Sequence, residues 1–430
     1  MNKNGVLDVH IKNVSVDVNR LAMINSYMIA LICSGSLIAR IFNIIGLVEE
    51  GLYPLIVTFS LTVSLFSCMI LTKFNGFQMN KRSLTFLLSI IILFLISYYR
   101  LDNFQYLNEY FLEFIFYGLI LFIMMSMPIY YEKVIVGVST VTLIVLINPF
   151  MIINGLISER GINSGDLQID MGLSYALLPS VVSGTLHFIF FRKKANLIVK
   201  ISYIINLFLF VLLIIFSVRG IIISLFILLY ALVFSLIQGK FKMIGKTLVY
   251  SSVVILLAII IKINDIIIFS YNYLLTKGVE FTALTKSVQK MQTSTGLSNG
   301  RINIYEKVIQ LIKENPLLGK GISYYAHYSD GMFPHNILLQ SMLETGILLT
   351  VPLLLIIVIA VKITFSSMDK FKENKEFKVF VMFCFISSVP RLMFSSYLWK
   401  EQLLWVLLFV ILGSSIKIGV LRKSNLAIQK

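Results

Sequence analysis

The chain has 430 residues, of which 58% are hydrophobic and only 13% charged, with a mean hydropathy of +0.89. A soluble globular domain carries roughly a quarter of its residues as charges, so that class is excluded and a polytopic membrane protein is implied. The net charge of +16 is read as the Lys/Arg excess that orients membrane spans, and no nucleic-acid partner is expected.

Apolar runs of roughly 17–25 residues are long enough to cross a bilayer as helices. In chain order they fall at 21–39, 52–72, 84–99, 105–127, 134–153, 170–191, 198–217, 220–238, 247–263, 337–361, 377–395 and 402–418. The expected fold is therefore all-α, a polytopic integral membrane protein of about twelve spans. Met1 to Arg20 is polar and lacks the apolar core of a signal peptide, so the first span is expected to be retained. The run 84–99 is short and requires tilt or local thinning of the bilayer. Glu109 and Glu113, four apart, either face the bundle interior or mark an interfacial helix start. Cys33, Cys68 and Cys384 all sit in apolar runs and form neither a metal spacing nor a disulfide framework.

Charge asymmetry orients these spans. The connections on the side of the N-terminus carry Lys73, Lys81, Arg82, Lys133, Arg192, Lys193, Lys194, Lys240 and Lys370, and the C-terminus is also basic. The opposite connections hold only Arg40, Arg100, Arg160, Arg219, Arg391 and Lys400 outside the long loop. Short cytoplasmic loops are the Lys/Arg-rich ones, which places both termini in the cytoplasm. Three units follow: N-terminal spans in 1–263, a large external loop over 264–336, and C-terminal spans in 337–430.

Residues 285–300 are rich in Gly, Ser, Thr and Asn, as a mobile stretch is. From Arg301 the pattern changes to helical, with Ile302, Tyr305, Val308, Ile309 and Ile312 as an apolar stripe. Asn299 is placed to cap this helix and Pro316 to end it. Such an amphipathic helix either lies on the outer membrane surface or packs on the bundle. Pro316-Leu-Leu-Gly319-Lys-Gly321 follows as a turn. The loop closes on His335-Asn336, and Asn336, Gln340 and Glu344 then share one helical stripe. A polar stripe inside a span faces protein or a water-filled cavity.

No phosphate-binding Walker loop and no internal repeat is present, so the chain's energy must come from an ion gradient or an activated substrate. Of the four histidines, His10 is cytoplasmic by this topology, His187 lies in a span and His327 in a Tyr-rich stretch. His335 is the base at the loop–span junction, and histidine titrates near working pH. Arg219 and Arg301 are both external, and Arg219, at a helix end, reads by itself as a snorkelling arginine.

These residues resemble the O-antigen ligase and O-antigen polymerase family of bacterial surface-polysaccharide enzymes. Ser217-Val218-Arg219-Gly220 is similar to that family's Ser-x-Arg-Gly element. Arg301 and Tyr305 with the Pro316-to-Gly321 turn resemble its loop element, although Tyr305 stands where the family often has Trp. His335-Asn336-x-x-Leu339-Gln340-x-x-x-Glu344-x-Gly346 resembles its closing signature. The resemblance implies a membrane glycosyltransferase in the bacterial cytoplasmic membrane, acting outside it on an undecaprenyl pyrophosphate-linked oligosaccharide. It implies an inverting, metal-independent reaction with no cofactor. His335 would be the general base, and Arg219 and Arg301 would hold the pyrophosphate. Tyr305, Asn336, Gln340 and Glu344 would support the site. Polymerisation of repeat units is the preferred reading, with membrane lipid, a flippase and a chain-length regulator as partners. Ligation of finished glycan to a lipid A core or another envelope acceptor is the first alternative. A flippase for lipid-linked sugars is the second, and would favour symmetric halves with interrupted helices, a pattern not visible in the sequence.

Overall fold

A computed structural model describes residues 4–47, 51–101, 104–150, 172–216, 219–236, 263–276, 301–368, 374–394 and 396–413, with single positions at 153, 247, 251 and 288. The span expected at 247–263, the stretch 285–300, Asn299 and the end of the 402–418 run lie outside this description. The described chain is helical, with no strand among the described residues.

In chain order the helices are α1 (Asn4–Ile44), α2 (Leu52–Thr72), α3 (Lys81–Arg100), α4 (Gln105–Met125), α5 (Tyr131–Thr140), α6 (Gly172–Phe191), α7 (Leu197–Phe216) and α8 (Arg219–Leu236). Then come α9 (Ile263–Thr276), α10 (Arg301–Glu314), α11 (Tyr324–Tyr328), α12 (Ile337–Thr364), α13 (Lys375–Leu392) and α14 (Gln402–Gly413). Among the described residues, seven helices are long and apolar enough to cross a membrane, within α1 to α4, α6, α7 and α12. α8 and α14 supply shorter apolar helices. α13 carries Lys375, Glu376, Lys378 and Arg391, which keeps it out of that set, although its body is buried.

Two spans differ from expectation. α3 is not short: it runs the full Lys81–Arg100, started by the Asn80 side chain, which accepts from the Arg82 N–H at 2.9 Å. Charged residues at both ends hid its length from a hydropathy reading. The run 134–153 is not one α-helix, because α5 ends at Thr140 and tightens into a 3-10 segment, Val141–Ile147. The cause is polar packing: Asn206 on α7 donates to Ser139 O, Ser139 Oγ and Thr142 Oγ1 at 3.2–3.3 Å.

The helices alternate between two ends of the bundle. α1 packs along α2 and against α5 and α6, while α13 packs on α6, α8 and α12. One end has a cavity of about 330 Å³ lined by Val18, Gln78, Ser83, Met125, Tyr131 and Gly413. The beginning of the α1 span and the end of α14 therefore share an end. At the other end α3 finishes at Arg100, α12 begins, and α13 finishes at Arg391. This second end receives the segment 316–336.

Candidate functional site

The segment before α12 is locked to the bundle through a break in that helix. Gly346 has φ 62° and ψ −153° inside α12, a conformation open essentially to glycine. Its break exposes backbone groups that the turn at 316–321 takes up. The Lys320 N–H donates to Leu343 O at 2.7 Å, Gly321 N–H to Glu344 O at 3.0 Å, and Ile347 N–H to Pro316 O at 3.1 Å. A Cβ on Gly319 would stand 2.6 Å from the backbone of Glu344, Thr345 and Gly346. One on Gly346 would stand 2.3 Å from Leu317 O. The two glycines of the sequence pattern thus belong to one contact. Non-helical backbone at this depth is tolerated where protein buries it.

Further bonds tie the same segment to α3 and α4. Arg100 Nη1 donates to Gly319 O at 3.0 Å, the Ile322 N–H to Ser97 Oγ at 2.8 Å, and Tyr106 OH to Asp330 Oδ1 at 3.2 Å. α10 forms where periodicity places it, from Arg301 to Glu314, but its buried stripe is rotated. Val308 is fully buried with Tyr325 and Leu343, and Ile304, Leu311, Ile312 and Leu339 pack around them. Ile302 and Ile309, expected in the stripe, are exposed. α10 therefore packs on α12 through Val308, because α12 offers Leu339 and Leu343 on the facing side.

This framework presents His335. Ser323, Asp330 and His335 all have positive φ without being glycine, at 65°, 53° and 56°, and such strain clusters at functional sites. The His335 ring packs against Phe333 in a tilted arrangement, centroids 4.2 Å apart, and Phe333 packs on Tyr397 at 4.9 Å. Its Nδ1 is buried without a hydrogen-bond partner. Burial, and then the nearby charge of Arg301, lower its pKa from 6.5 to about 4. The imidazole is therefore neutral at physiological pH and able to accept a proton.

Among the expected site residues, Arg301 lies near enough for its charge to act on His335. Arg219 opens α8, and its side chain is outside the described residues. The end it occupies follows from packing: Lys378 at the start of α13 donates to Ser235 near the end of α8 at 3.2 Å. The antiparallel pair thus places Arg219 at the Arg391 end, which is also the His335 end. Tyr305 is half-buried on α10. Asn336 caps α12, its side chain accepting from the Leu338 and Leu339 N–H groups at 3.0 and 3.1 Å.

Gln340 and Glu344 face protein rather than a water-filled cavity. Gln340 Oε1 accepts from the Leu398 N–H at 3.1 Å, and its Nε2 donates to Glu344 at 3.1 Å. Glu344 also accepts from Trp399 Nε1 at 2.8 Å. The stripe rivets α12 to the 3-10 turn Leu398–Lys400. That turn aims Tyr397, whose hydroxyl donates to Glu113 on α4, itself 3.8 Å from Lys400. Of the two α4 carboxylates, Glu113 thus faces protein and Glu109 is exposed.

Sequence reasoning missed Ser97, Arg100, Tyr106, Tyr397 and Trp399. Each bonds to a partner more than fifty positions away, which leaves no local signal. His187 is buried against Tyr203 OH at 2.6 Å, and His327 is exposed on α11. The three cysteines are free and buried. Among the described residues no cluster of three His, Cys, Asp or Glu is arranged to hold a metal ion.

Comparison with known proteins reaches the same part of the chain. Residues 204–354 match a family model described as O-Antigen ligase, a stretch that runs from α7 through the His335 segment into α12. No curated protein matches the chain.

Proposed function

We propose, for a chain that carries an O-antigen ligase family domain over residues 204–354, that it transfers a lipid-linked glycan to a sugar hydroxyl at the outer face of the bacterial cytoplasmic membrane. The observation that carries this is a strained, part-buried His335, its Nδ1 without a partner and within reach of the Arg301 charge, where a polar segment rejoins the bundle. A neutral, strained imidazole within reach of a cation suits proton removal next to an anionic leaving group.

In this reading the acceptor hydroxyl oxygen attacks the anomeric carbon and its proton passes to His335. The anomeric C–O bond to the undecaprenyl pyrophosphate breaks, and its electron pair leaves on the phosphate oxygen. Arg301 and Arg219 hold that charge. One in-line displacement inverts the anomeric centre, and neither metal nor cofactor is required. The bound pyrophosphate also offsets the Arg301 charge, which raises the basicity of His335 when substrate is in place. Asn336, which caps α12, and the Gln340–Glu344 rivet keep the junction in register, with Tyr305 in support.

Polymerisation of repeat units into O-antigen, capsular or exopolysaccharide is our preferred reaction, with a flippase and a chain-length regulator as partners. Ligation is the second reading, favoured by the description of the matched family. A flippase is less well supported: α12 is interrupted at Gly346, but the chain's own 316–321 turn fills the break. Purified protein in lipid nanodiscs, given lipid-linked repeat units, should produce a ladder of lengths. Transfer only to a different acceptor would make it a ligase, and absence of both products would defeat the transferase reading. His335→Ala should bind the lipid-linked substrate and lose on the order of 10²–10⁴ in rate.

A further inference from the structure

The end of the bundle that carries His335 holds a second polar cluster, which the transfer chemistry leaves unused. Arg391, in the last turn of α13, lays its guanidinium 4.6 Å above the ring of Tyr175 on α6. Its Nη1 stands 3.4 Å from Glu401, whose side chain is only 4% exposed, against 27% for Arg391. Arg391 Nε, Glu401 Oε2 and the indole N–H of Trp405 are buried without a hydrogen-bond partner. Tyr117 on α4 lies within electrostatic reach of both Arg391 and Glu401, and its ring stacks on Tyr53 at 4.7 Å.

A purely structural buried ion pair is held by well-formed hydrogen bonds on both partners. Here Nη1 faces Glu401 Oε2 at 3.4 Å without a hydrogen bond between them, and Arg391 Nε beside it has no acceptor. The charges of Arg391 and Glu401 cancel, so the cluster gains little from an anion such as pyrophosphate. An adjacent guanidinium donor and carboxylate acceptor match the hydroxyls of a sugar ring, and tyrosine rings present an apolar body with a polar tip. The cluster is also connected to the proposed base. Tyr397 packs on Phe333, which packs against His335, and its hydroxyl bonds Glu113, which lies within electrostatic reach of Tyr117.

We propose that Arg391, Glu401 and Tyr175 form a saccharide subsite, which takes an uncharged sugar of the glycan by its hydroxyls and is separate from the arginines that hold the pyrophosphate. The subsite rests on the reading of this end as a glycan-transfer site. Its three residues lie outside the family match, which covers residues 204–354.

The chain has two tryptophans, Trp399 and Trp405, and both flank this cluster, so intrinsic fluorescence of the full-length protein in nanodiscs reports on it. One probe is oligosaccharide released by mild acid from the producing cell's own surface polysaccharide, and the other is inorganic pyrophosphate. Wild type should show a saturable response to the oligosaccharide. Glu401→Gln and Arg391→Lys should weaken it at least tenfold, leave pyrophosphate binding unchanged, and raise KM for the glycan with little change in kcat. Arg391→Lys keeps the charge pair, so together with the wild-type titration it decides the matter if Glu401→Gln aggregates on size exclusion. A wild type that ignores the oligosaccharide, or variants that bind it normally, overturns the subsite; so does loss of pyrophosphate binding in its place. If wild type binds oligosaccharide yet transfers nothing, the transferase reading fails and the subsite stands. If His335→Ala is dead while both variants keep a normal KM, only the subsite fails.

Discussion

His335 combines a left-handed backbone, a buried Nδ1 and a neighbouring arginine, and each has a measurable consequence. Its pKa is lowered from 6.5 to about 4, first by burial and then by Arg301. Only the neutral form can take a proton, so kcat/KM should stay flat as pH falls through 6.5 and decline near 4. Bound pyrophosphate offsets the Arg301 charge, so the acid limb of kcat, which reports the substrate complex, should lie at higher pH than that of kcat/KM. Arg301→Gln removes the smaller of the two causes and should move the kcat/KM limb upward, towards 6.5. Parallel pH–rate profiles of wild type and variant check this, and a limb near 6.5 in wild type would show that the imidazole is not buried as described. Stability follows the same sign. As pH falls below 6.5 the unfolded chain takes up a proton that the folded chain accepts only near 4, so His335 destabilises the fold progressively across that window.

At the scale of elements, the break in α12 and the turn that fills it make one unit. Gly346→Ala meets Leu317 O at 2.3 Å and incurs roughly 1–3 kcal/mol of backbone strain besides. Gly319→Ala meets α12 backbone at 2.6 Å. Both should lower the unfolding temperature in detergent, whereas Gly413→Ala, with nothing within 4 Å of the added Cβ, should not. Equal melting of all three variants would mean that the turn does not dock in the break. The rotated stripe of α10 gives a second contrast. Val308→Ala opens space in a fully buried contact and should loosen the segment by on the order of 1–3 kcal/mol. Ile302→Ala, at an exposed position, should leave it unchanged. Limited proteolysis of the 301–336 segment separates the two, and greater sensitivity in the Ile302 variant would restore the stripe expected from periodicity.

For the whole molecule, the helices put the start of the first span and the end of α14 at one end, and His335 with Arg391 at the other. Which end faces outward is a matter of charge: the short connections at the His335 end are poor in Lys and Arg. Glu306→Cys should therefore react with a membrane-impermeant thiol reagent in intact cells, and Lys193→Cys only after permeabilisation. Both positions are exposed, and the native cysteines are buried, so background labelling should be low. The reverse pattern would place the proposed site in the cytoplasm and remove its access to an external acceptor.

The membrane class and most of the spans seen among the described helices were legible along the chain, as was the shared end of His335, Arg219 and Arg301, because hydropathy, charge bias and helix breakers such as Pro316 act over a few residues. Hydropathy misjudged α3, whose ends are charged, and could not foresee the 3-10 stretch after Thr140, which answers to Asn206 on another helix. Gly319 and Gly346 were visible as parts of a pattern, but their contact with each other depends on the turn entering the break in α12. Gln340 and Glu344 could be placed on one stripe, while the choice between water and protein as their partner waited on Leu398 and Trp399. Arg391 stood out only as a topological charge until packing brought Tyr175 and Glu401 beside it. Local periodicity places a side chain on a helix face, and only the neighbouring helices determine what that face meets.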